Sequence, residues 1–325
     1  MKIAVIGTSW ITDKFLSAAL KTNKYSLEAV FSRSEEKGKQ FGEKYGTQKV
    51  YTSLEALGAD TGIKSVYIAS PNSLHFEQSR FLLKCGKNII CEKPAATTYN
   101  EEKELTELAE RCGIIRTEAI MSMYVPAFEK LKEAIRDIGK IRTANIVYCQ
   151  LSSKYPAYIR GENPNIFNPA FHTGCLADIG VYNVFLAAGL FGSPNALMSH
   201  STFLESGADA EGTAVLDYGD MTVNLVYSKV GQSYSPSEII GDKGTVSINS
   251  VSQLTGIDII KDGIRTNLVP YGLTRDEIMG AEASVFADAV SGDEKAIEKV
   301  RSVNEISLKV RRICDEIRKQ NDFPF

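Results

Sequence analysis

The first third of the chain alternates short apolar runs with amphipathic, helix-like segments. The apolar runs are KIAVIG, LEAVFS, KVY, SVYIAS, NIICE and IIRTEA, and they are separated by stretches such as DKFLSAALKT and HFEQSRFLLKCG. Runs of the first kind predict strands, and apolar residues spaced three and four apart predict helices. Strands that are apolar on both faces and joined by helical crossovers form parallel sheets. The pattern therefore predicts a doubly wound α/β domain over residues 1–120.

The pattern changes from about residue 121. Strand-like runs TANIVYCQLSS, TAVLDYG, MTVNLVYSKV, SEIIG, GTVSINS and GIDIIKDGIRTNLV are joined by hairpin-like turns such as YGDM, GDKG and KDG. Helices are expected at about 126–138, 176–191, 276–291 and 303–320. Residues 121–325 should therefore form a substrate-binding α+β domain with an open, mostly antiparallel sheet, and its last helices can pack back on the first domain. The Val and Leu residues of MTVNLVYSKV are expected on the open sheet face, which predicts a homodimer or homotetramer.

Composition limits the possible partners and surroundings. A chain of 325 residues that is 43% hydrophobic and 24% charged can bury a large core and is long enough for two domains. The net charge of −3 and the pI of about 5.8 provide no basic excess for nucleic acid or an anionic membrane. No secretory leader or long apolar span is evident, so a cytoplasmic location is expected. The six cysteines include no CxxC pair, which predicts reduced thiols and no metal site.

VIGTSWIT, residues 5–12, resembles a dinucleotide phosphate loop in which only the first glycine is retained. Gly7 follows the first strand directly and precedes a helix, and Ser9 and Thr12 occupy the places of the other two glycines. The N–H groups at a helix start can bind a pyrophosphate there. The alternative is a plain strand, turn and helix. We expect a Rossmann domain with cofactor contacts from Gly7, Thr8, Ser9, Trp10 and Ile11.

The turn after the second strand predicts which dinucleotide is bound. Enzymes that select NAD usually carry a carboxylate there for the ribose 2′-hydroxyl, but this chain reads VFSRSEEKG, with Ser32 and Arg33 at the turn. Arg33, supported by Lys37 one helical turn later, suits a 2′-phosphate. Alternatively, Ser34 simply caps a helix and Arg33 is solvated. The sequence therefore favours NADP over NAD.

Two further loops follow the fourth and fifth strands, at the carboxyl edge where doubly wound sheets bind ligands. They are SPNSLH (70–75) and CEKPAATT (91–98). Pro94 keeps Lys93 out of helical geometry, so its ammonium group can project into a cleft as a proton donor. Otherwise Lys93 is an ordinary surface lysine. The expected cofactor contacts in these loops are Ser70, Pro71, Asn72, His75, Glu92 and Lys93.

The order of these motifs, with EAIMSMYVP and GCLADIGVYNVFLAAGLFG after them, resembles the Gfo/Idh/MocA oxidoreductases over essentially the whole chain. The resemblance implies NAD(P)-dependent hydride transfer to or from a sugar, polyol or related hydroxy or carbonyl compound. In that family the lysine of the Glu-Lys-Pro motif, here Lys93, faces the nicotinamide and the substrate. Asp178, Gly180 and Tyr182 match the Asp-x-Gly-x-Tyr motif of the branch that includes glucose–fructose oxidoreductase and dihydrodiol dehydrogenase.

Spacing supports a shared role for Asp178 and Tyr182, because residues four apart lie on one face of a helix. Hydride loss from an alcohol needs a base for the hydroxyl proton, and a lysine ammonium lowers the pKa of a nearby tyrosine phenol. Without the resemblance, Tyr182 is as easily explained as a buried helix aromatic. The predicted catalytic residues are Lys93, Tyr182 and Asp178. The predicted carbohydrate-like substrate would contact Lys93, Tyr158, Asn165, His172, Asp178 and Tyr182.

Three departures from the family pattern bear on catalysis. Ser9 replaces a loop glycine, Thr173 replaces the first residue of a Gly-Gly pair, and Met123 replaces a frequent arginine. They are compatible with an unusual substrate. They are also compatible with a regulatory protein that binds the dinucleotide without turnover. A glycosidase that oxidises and re-reduces its substrate on bound NAD would have the same fold, but its signature residues are not evident.

Overall fold

The computed structural model describes all 325 residues and consists of two compact units. The first unit contains residues 1–120 and 275–305, and the second contains residues 121–274 and 306–325.

The first unit is built on a six-stranded parallel sheet with the order β3-β2-β1-β4-β5-β6. Its strands are β1 (Lys2–Ile6), β2 (Ser26–Phe31), β3 (Val50–Tyr51), β4 (Ser65–Ile68), β5 (Asn88–Glu92) and β6 (Arg116–Ala119). The crossover helices are α1 (Trp10–Lys21), α2 (Glu35–Glu43), α3 (Leu54–Ala59), α4 (His75–Lys84) and α5 (Tyr99–Cys112). The predicted doubly wound sheet is confirmed. Strand order reverses between β1 and β4, which is where such sheets bind ligands.

The second unit is built on an eight-stranded sheet with the order β14-β13-β12-β11-β7-β10-β9-β8. Its strands are β7 (Ile141–Cys149), β8 (Ala196–Phe203), β9 (Asp209–Asp217), β10 (Thr222–Ser228), β11 (Ser237–Gly241), β12 (Gly244–Ser250), β13 (Thr255–Lys261) and β14 (Ile264–Val269). Only the β7 and β10 pair is parallel, so the predicted mostly antiparallel sheet is confirmed. The pattern did not predict β8, an edge strand whose sequence ALMSHSTF is half polar and mostly exposed.

Three helical segments accompany this sheet: α6 (Pro126–Asp137), α7 (Tyr155–Ile159) and α8 (Val181–Phe191), which a π turn over Leu176–Gly180 precedes. The longer segment Pro169–Phe191 contains an 18-residue window with a mean hydropathy of 1.6, enough by length and composition to cross a membrane. However, 72% of that window is buried within the protein, as in a core helix.

The apolar residues of β10 lie on a covered face of the sheet and not on the predicted open face. Val223 and Leu225 are fully buried within the unit, and α8 packs on β10. Val226, which alternation places on the opposite face, is 37% exposed. The prediction that Val223 and Leu225 lie on an open face was therefore wrong. The strand pattern shows that one face is apolar, but it does not show that α8, apolar on nearly every side, covers that face.

Two helices close the chain, α9 (Arg275–Val290) and α10 (Glu294–Gln320). Helix α10 begins at Glu294 rather than at the predicted 303, because Asp293 caps its first turn by accepting a hydrogen bond from the N–H of Ala296 (2.9 Å). Helix α9 packs on α1 in the first unit. The Tyr25 hydroxyl donates to the carbonyl of Ala283 (2.5 Å), which ties α9 to the start of β2.

Candidate active site

The turn after β1 requires a glycine and leaves a helix N-terminus available. Gly7 has φ +100°, and a Cβ at this position would lie 2.6 Å from the carbonyl oxygen of Ala69. Ser9 stands at the N-cap of α1, but its side chain caps none of the helix N–H groups, and its Oγ lies 3.4 Å from Oγ1 of Thr12. The first N–H groups of α1 therefore have no intrahelical partner, which suits a pyrophosphate. Thr8 and Ile11 are partly exposed at this turn.

An arginine that sequence reasoning missed lies beside this turn. The Trp10 side chain is 59% exposed, and the Arg275 guanidinium lies 5.1 Å from the centre of its ring. Arg275 is the first residue of α9, so nothing in the local sequence connects it with the phosphate loop. A guanidinium at this place adds positive charge where a dinucleotide phosphate is expected.

The turn after β2 contains both the helix cap and the exposed cations that its sequence suggested as alternatives. The Ser34 side chain caps α2 by accepting from the N–H of Lys37 (3.3 Å), and Oγ of Ser32 accepts from the N–H of Ser34 (3.3 Å). The side chains of Arg33 and Lys37 are exposed and form no ion pair or hydrogen bond within the chain. The helix cap and a cationic surface therefore coexist, and both cations are available to an external anion.

His75 connects the loops that follow β4 and β5. Its ring is buried, with Nε2 2.7 Å from the carbonyl oxygen of Ser70 and Nδ1 2.9 Å from that of Pro94. These two contacts link the loops, and the expected contact of His75 with the cofactor stays a prediction. The Ser70 hydroxyl donates to Oε1 of Gln78 (2.7 Å). Pro71 and Asn72 are partly exposed at the start of a short 3₁₀ turn.

A hydrogen bond from a neighbouring strand fixes the first residue of the Glu-Lys-Pro motif. Glu92 accepts a hydrogen bond from the Tyr67 hydroxyl (2.6 Å), and Tyr67 in turn stacks on Phe15 at 3.8 Å between ring centres. Burial raises the pKa of Glu92, and the Tyr67 hydroxyl and the Lys93 ammonium oppose that rise. The contact with Tyr67 fixes the Glu92 carboxylate in the loop, and the side chains of both Glu92 and Lys93 are partly exposed.

Two more carboxyl groups near this loop escaped the sequence analysis. Oε1 of Glu118 accepts from the N–H of Ala95 (3.1 Å). Glu282 on α9 is 1% exposed, and its Oε2 has no hydrogen-bond partner. Burial, followed by the nearby charges of Glu92 and Glu118, raises the pKa of Glu282 well above its ordinary value. The first unit therefore encloses a carboxylic acid that favours its protonated form.

The second unit brings Asp178 and Tyr182 together with two residues that were not predicted. Asp178 lies in the π turn and Tyr182 in the first turn of α8. The carboxylate of Asp178 forms an ion pair with the ammonium of Lys229, which follows β10 and is only 7% exposed. The ring of Tyr148 on β7 meets that of Tyr182 edge to face at 6.1 Å. A carboxylate, an ammonium and two phenol rings thus form one polar cluster, called here the Asp178 cluster.

The π turn corrects the prediction of a regular helix from residue 176. Turns of this kind occur frequently at functional sites. Gly180 allows close packing, because a Cβ at this position would lie 2.9 Å from the ring of Tyr227. Hydrophobic periodicity did not reveal the turn, since it depends on this contact with a distant strand.

The stretch predicted as a substrate-binding loop is more ordered than expected. It contains α7 and two 3₁₀ turns, and the Tyr158 ring packs on Phe167 at 5.5 Å. The Tyr158 hydroxyl accepts from the N–H of Ser206 (3.2 Å), so an internal contact occupies this group. Asn165 is exposed, whereas the His172 ring stacks on that of Phe325 at 5.1 Å.

Two of the departures from the family pattern have structural roles in this unit. The Thr173 hydroxyl donates to the backbone carbonyls of Asn165 (2.6 Å) and Asn168 (3.0 Å) and so fixes the stretch before the π turn. Met123 is fully buried, and its sulfur lies close to Gly189 of α8. Met123 therefore belongs to the core rather than to a ligand-facing surface.

Comparison with known proteins identifies the family. A sequence model described as an oxidoreductase family with an NAD-binding Rossmann fold matches residues 1–119, and one for the GFO/IDH/MocA C-terminal domain matches residues 128–247. The chain belongs to the Gfo/Idh/MocA family of oxidoreductases. It is a dinucleotide-dependent oxidoreductase that transfers hydride between a nicotinamide and a hydroxy or carbonyl compound. The predicted family, fold and reaction type are confirmed.

Two relatives and one solved structure align along nearly the whole chain. The uncharacterized oxidoreductase YgjR of Escherichia coli K12 is 39% identical over 329 residues, which cover 100% of this chain and 98% of that protein. The scyllo-inositol 2-dehydrogenase (NADP(+)) IolU of Bacillus subtilis 168 is 36% identical, with 98% and 97% covered. The 3-ketoreductase KijD10 of Actinomadura kijaniata, in complex with TDP-benzene and NADP, superposes with a TM-score of 0.83 at 22% identity, with 99% and 98% covered. At this identity, the superposition shows that the two proteins share a fold.

Proposed function

We propose that the protein is an NADP-dependent dehydrogenase or reductase that acts on a hydroxyl or carbonyl carbon of a sugar or polyol. The observation that carries the cofactor preference is the turn after β2, where Arg33 and Lys37 are exposed, unpaired and accompanied by no carboxylate at the ribose position. A guanidinium forms two parallel hydrogen bonds with a phosphate, which a ribose hydroxyl cannot accept in the same way. The uncapped start of α1 fits the shared pyrophosphate.

The reaction needs a hydride carrier and a group that moves one proton. The bound nicotinamide would supply or accept the hydride. We assign proton transfer to Tyr182, assisted by the ammonium group of Lys93, which also donates a hydrogen bond to the reacting oxygen. Asp178 accepts hydrogen bonds from substrate hydroxyls, and the ion pair with Lys229 orients its carboxylate. The remaining predicted contacts with the substrate, Tyr158, Asn165 and His172, would act at the margin of the site.

A polyhydroxylated substrate suits the Asp178 cluster. A carboxylate can accept several hydrogen bonds at once, which suits vicinal hydroxyl groups, and aromatic rings such as Tyr148 and Tyr182 can pack on the apolar faces of sugar-like rings. The relative IolU is named for the oxidation of a cyclic polyol with NADP(+), which supports the same class here. We also propose a homodimer or homotetramer, and the predicted cytoplasmic location stays a prediction.

A screen of cyclic polyols and sugars with NADP(+) and NAD(+), followed by the absorbance of the reduced nicotinamide, tests the proposal. We expect turnover of at least one such compound, with a higher kcat/KM for NADP(+) than for NAD(+). Dinucleotide binding in calorimetry without turnover of any compound would instead favour a regulatory protein. Release of an aglycone without net change in the nicotinamide absorbance would favour the glycosidase that re-reduces its substrate.

A further inference from the structure

A buried carboxyl group contacts the start of the helical segment that carries Asp178 and Tyr182. Asp209, the first residue of β9, is 1% exposed. Its Oδ2 accepts a hydrogen bond from the backbone N–H of Leu176 (2.6 Å), the first residue of the π turn. Its Oδ1 has no hydrogen-bond partner. The side chain is therefore placed at the one end of this helical segment where N–H groups lack intrahelical acceptors.

The backbone before the π turn is shaped to admit this carboxyl group. Gly174 has φ +156°, and a Cβ at this position would lie 1.8 Å from Oδ1 of Asp209. Any other residue at position 174 would push the carboxyl group away from Leu176. Thr173, by contrast, tolerates a side chain, and its hydroxyl bonds backbone carbonyls. At the two positions of the family's Gly-Gly pair, this chain has Thr173 and Gly174. The contact with Asp209 requires only the glycine at position 174.

The contact bears directly on the Asp178 cluster. Asp178 follows Leu176 by two residues and lies within the same π turn. The other side of the turn is fixed by Gly180 against the ring of Tyr227, and α8 is held by Asn183, whose Nδ2 donates to the carbonyl of Val226 (2.9 Å). The hydrogen bond from Leu176 to Asp209 attaches the opposite end of the turn to β9.

The charged and titratable groups around Asp209 come from three neighbouring elements. Cys175 lies beside it at the start of the π turn, Tyr227 faces it from β10, and Arg318 faces it from α10. Burial raises the pKa of Asp209 to about 7, although the N–H groups of Leu176 and Cys175 and the charge of Arg318 lower it. Burial therefore has the largest effect, and the carboxyl group changes charge near neutral pH.

We propose that Asp209 is a positioning residue that holds the π turn in place and thereby sets Asp178 and Tyr182, and that its ionised form holds the turn more firmly than its neutral form. An ionised acceptor forms a stronger hydrogen bond with a backbone N–H than a neutral one, and a negative charge is favoured at a helix N-terminus. The ionised form is nevertheless costly to bury. Deprotonation therefore improves the order of the site and lowers the stability of the fold. The catalytic part of this inference rests on the proposed function, whereas the structural part does not.

Hydrogen exchange of the intact protein tests the structural part without any substrate. Asp209→Asn keeps an oxygen acceptor without the charge, Asp209→Ala removes the acceptor, and Asp217→Asn alters an exposed carboxylate of the same strand as a matched control. In wild type, exchange of the amides of residues 176–182, corrected for intrinsic rates, should slow as the pH rises through 7. That change should vanish in Asp209→Asn, exchange should be fastest in Asp209→Ala, and Asp217→Asn should behave as wild type. Equal protection in all four proteins would overturn the proposal.

Denaturant unfolding measures the opposing effect. A raised pKa means that folded Asp209 keeps its proton while unfolded Asp209 loses it, so the unfolding free energy of wild type should fall relative to that of Asp209→Asn between about pH 4 and pH 7. Parallel pH curves would show that Asp209 does not titrate as proposed. With a substrate from the screen, Asp209→Asn should lose about tenfold in kcat above pH 7 and leave the NADPH affinity unchanged. A uniform loss at every pH, or a loss of NADPH affinity, would point to general damage to the fold.

Discussion

The ammonium of Lys229 is buried against the carboxylate of Asp178. Asp178 lies one helical turn before Tyr182. A buried lysine without a counter-charge is costly, and Asp178 is the carboxylate that the structure pairs with it. The pair fixes a carboxylate at the position where we propose that substrate hydroxyls bind. Lys229 is thus a member of the site, although nothing in the run MTVNLVYSKV suggests more than a strand end.

The first prediction concerns this pair. Lys229→Met should leave Asp178 without its cation and raise KM for the substrate by about 10–100-fold, with a smaller change in kcat, because the loss affects binding of hydroxyl groups. Steady-state kinetics of Lys229→Met, Asp178→Asn and the double variant measure the coupling. If the two residues act as a pair, the double variant should lose much less than the sum of the single losses. Additive losses would mean that Lys229 acts independently of Asp178.

The second prediction concerns cofactor choice. Arg33→Ala should weaken NADPH binding by about 1.5–3 kcal/mol, the range of a hydrogen bond to a charged group, and leave NADH binding nearly unchanged. Lys39→Ala is the matched control, because Lys39 lies on α2, which follows the Arg33 turn, and is paired with Glu35 (2.7 Å). Calorimetric titration of both dinucleotides measures the difference. Equal weakening of NADPH and NADH in Arg33→Ala would withdraw the NADP preference.

The local sequence predicts much of the fold and part of the site, and the difference has a physical cause. Gly7 and the Lys93-Pro94 pair are recognisable because their backbone requirements are local, and runs such as KIAVIG are apolar on both faces because helices cover both. Lys229, Arg275 and Glu282 are not recognisable, since each gains its role from a residue far away in the chain.

The same distinction explains the structural corrections. The π turn depends on the approach of Gly180 to Tyr227, and the buried face of β10 depends on α8. Neither contact has a counterpart in hydrophobic periodicity. The link that His75 forms between two loops likewise depends on carbonyls that lie far apart in the chain, and its predicted cofactor contact stays a prediction.

The third prediction concerns pH and Glu282. Because its pKa is raised in the folded state, folded Glu282 retains a proton that the unfolded chain releases above its ordinary value of 4.5. The unfolding free energy of wild type should therefore fall relative to that of Glu282→Gln as the pH rises from that value, with a slope of at most about 1.4 kcal/mol per pH unit. Glu298→Gln, an exposed position on α10, should follow wild type. Urea unfolding at several pH values measures the slope, and a constant difference between wild type and Glu282→Gln would contradict the prediction.

The fourth prediction concerns assembly through the exposed face of the second sheet. Met198 (78% exposed) pairs directly with Val215 across β8 and β9, and Val226 on β10 lies diagonally from Val215 on the same face. An apolar surface of this kind is usually covered by a neighbouring subunit. Val215→Glu should therefore shift a dimer or tetramer toward the 35.6 kDa monomer, whereas Ile159→Glu, on exposed α7, should not. Light scattering decides the matter, and a wild-type monomer at micromolar concentration would refute the assembly.

The last prediction tests the proposed chemistry through Lys93 and Tyr182. Lys93→Met should slow the chemical step by about 10²–10⁴-fold, the range for lost acid–base assistance, while NADPH affinity falls far less. Tyr182→Phe removes only a hydroxyl group from a largely buried ring, so the fold should survive, and the basic transition in the pH profile of the residual turnover should disappear if Tyr182 carries the proton. Single-turnover kinetics with reduced cofactor separate the chemical step from product release. If Tyr182→Phe turned over like wild type, the proton-transfer role would have to be assigned to Lys93 or Asp178 instead. If Lys93→Met also turned over normally, the roles assigned to both Tyr182 and Lys93 would be ruled out.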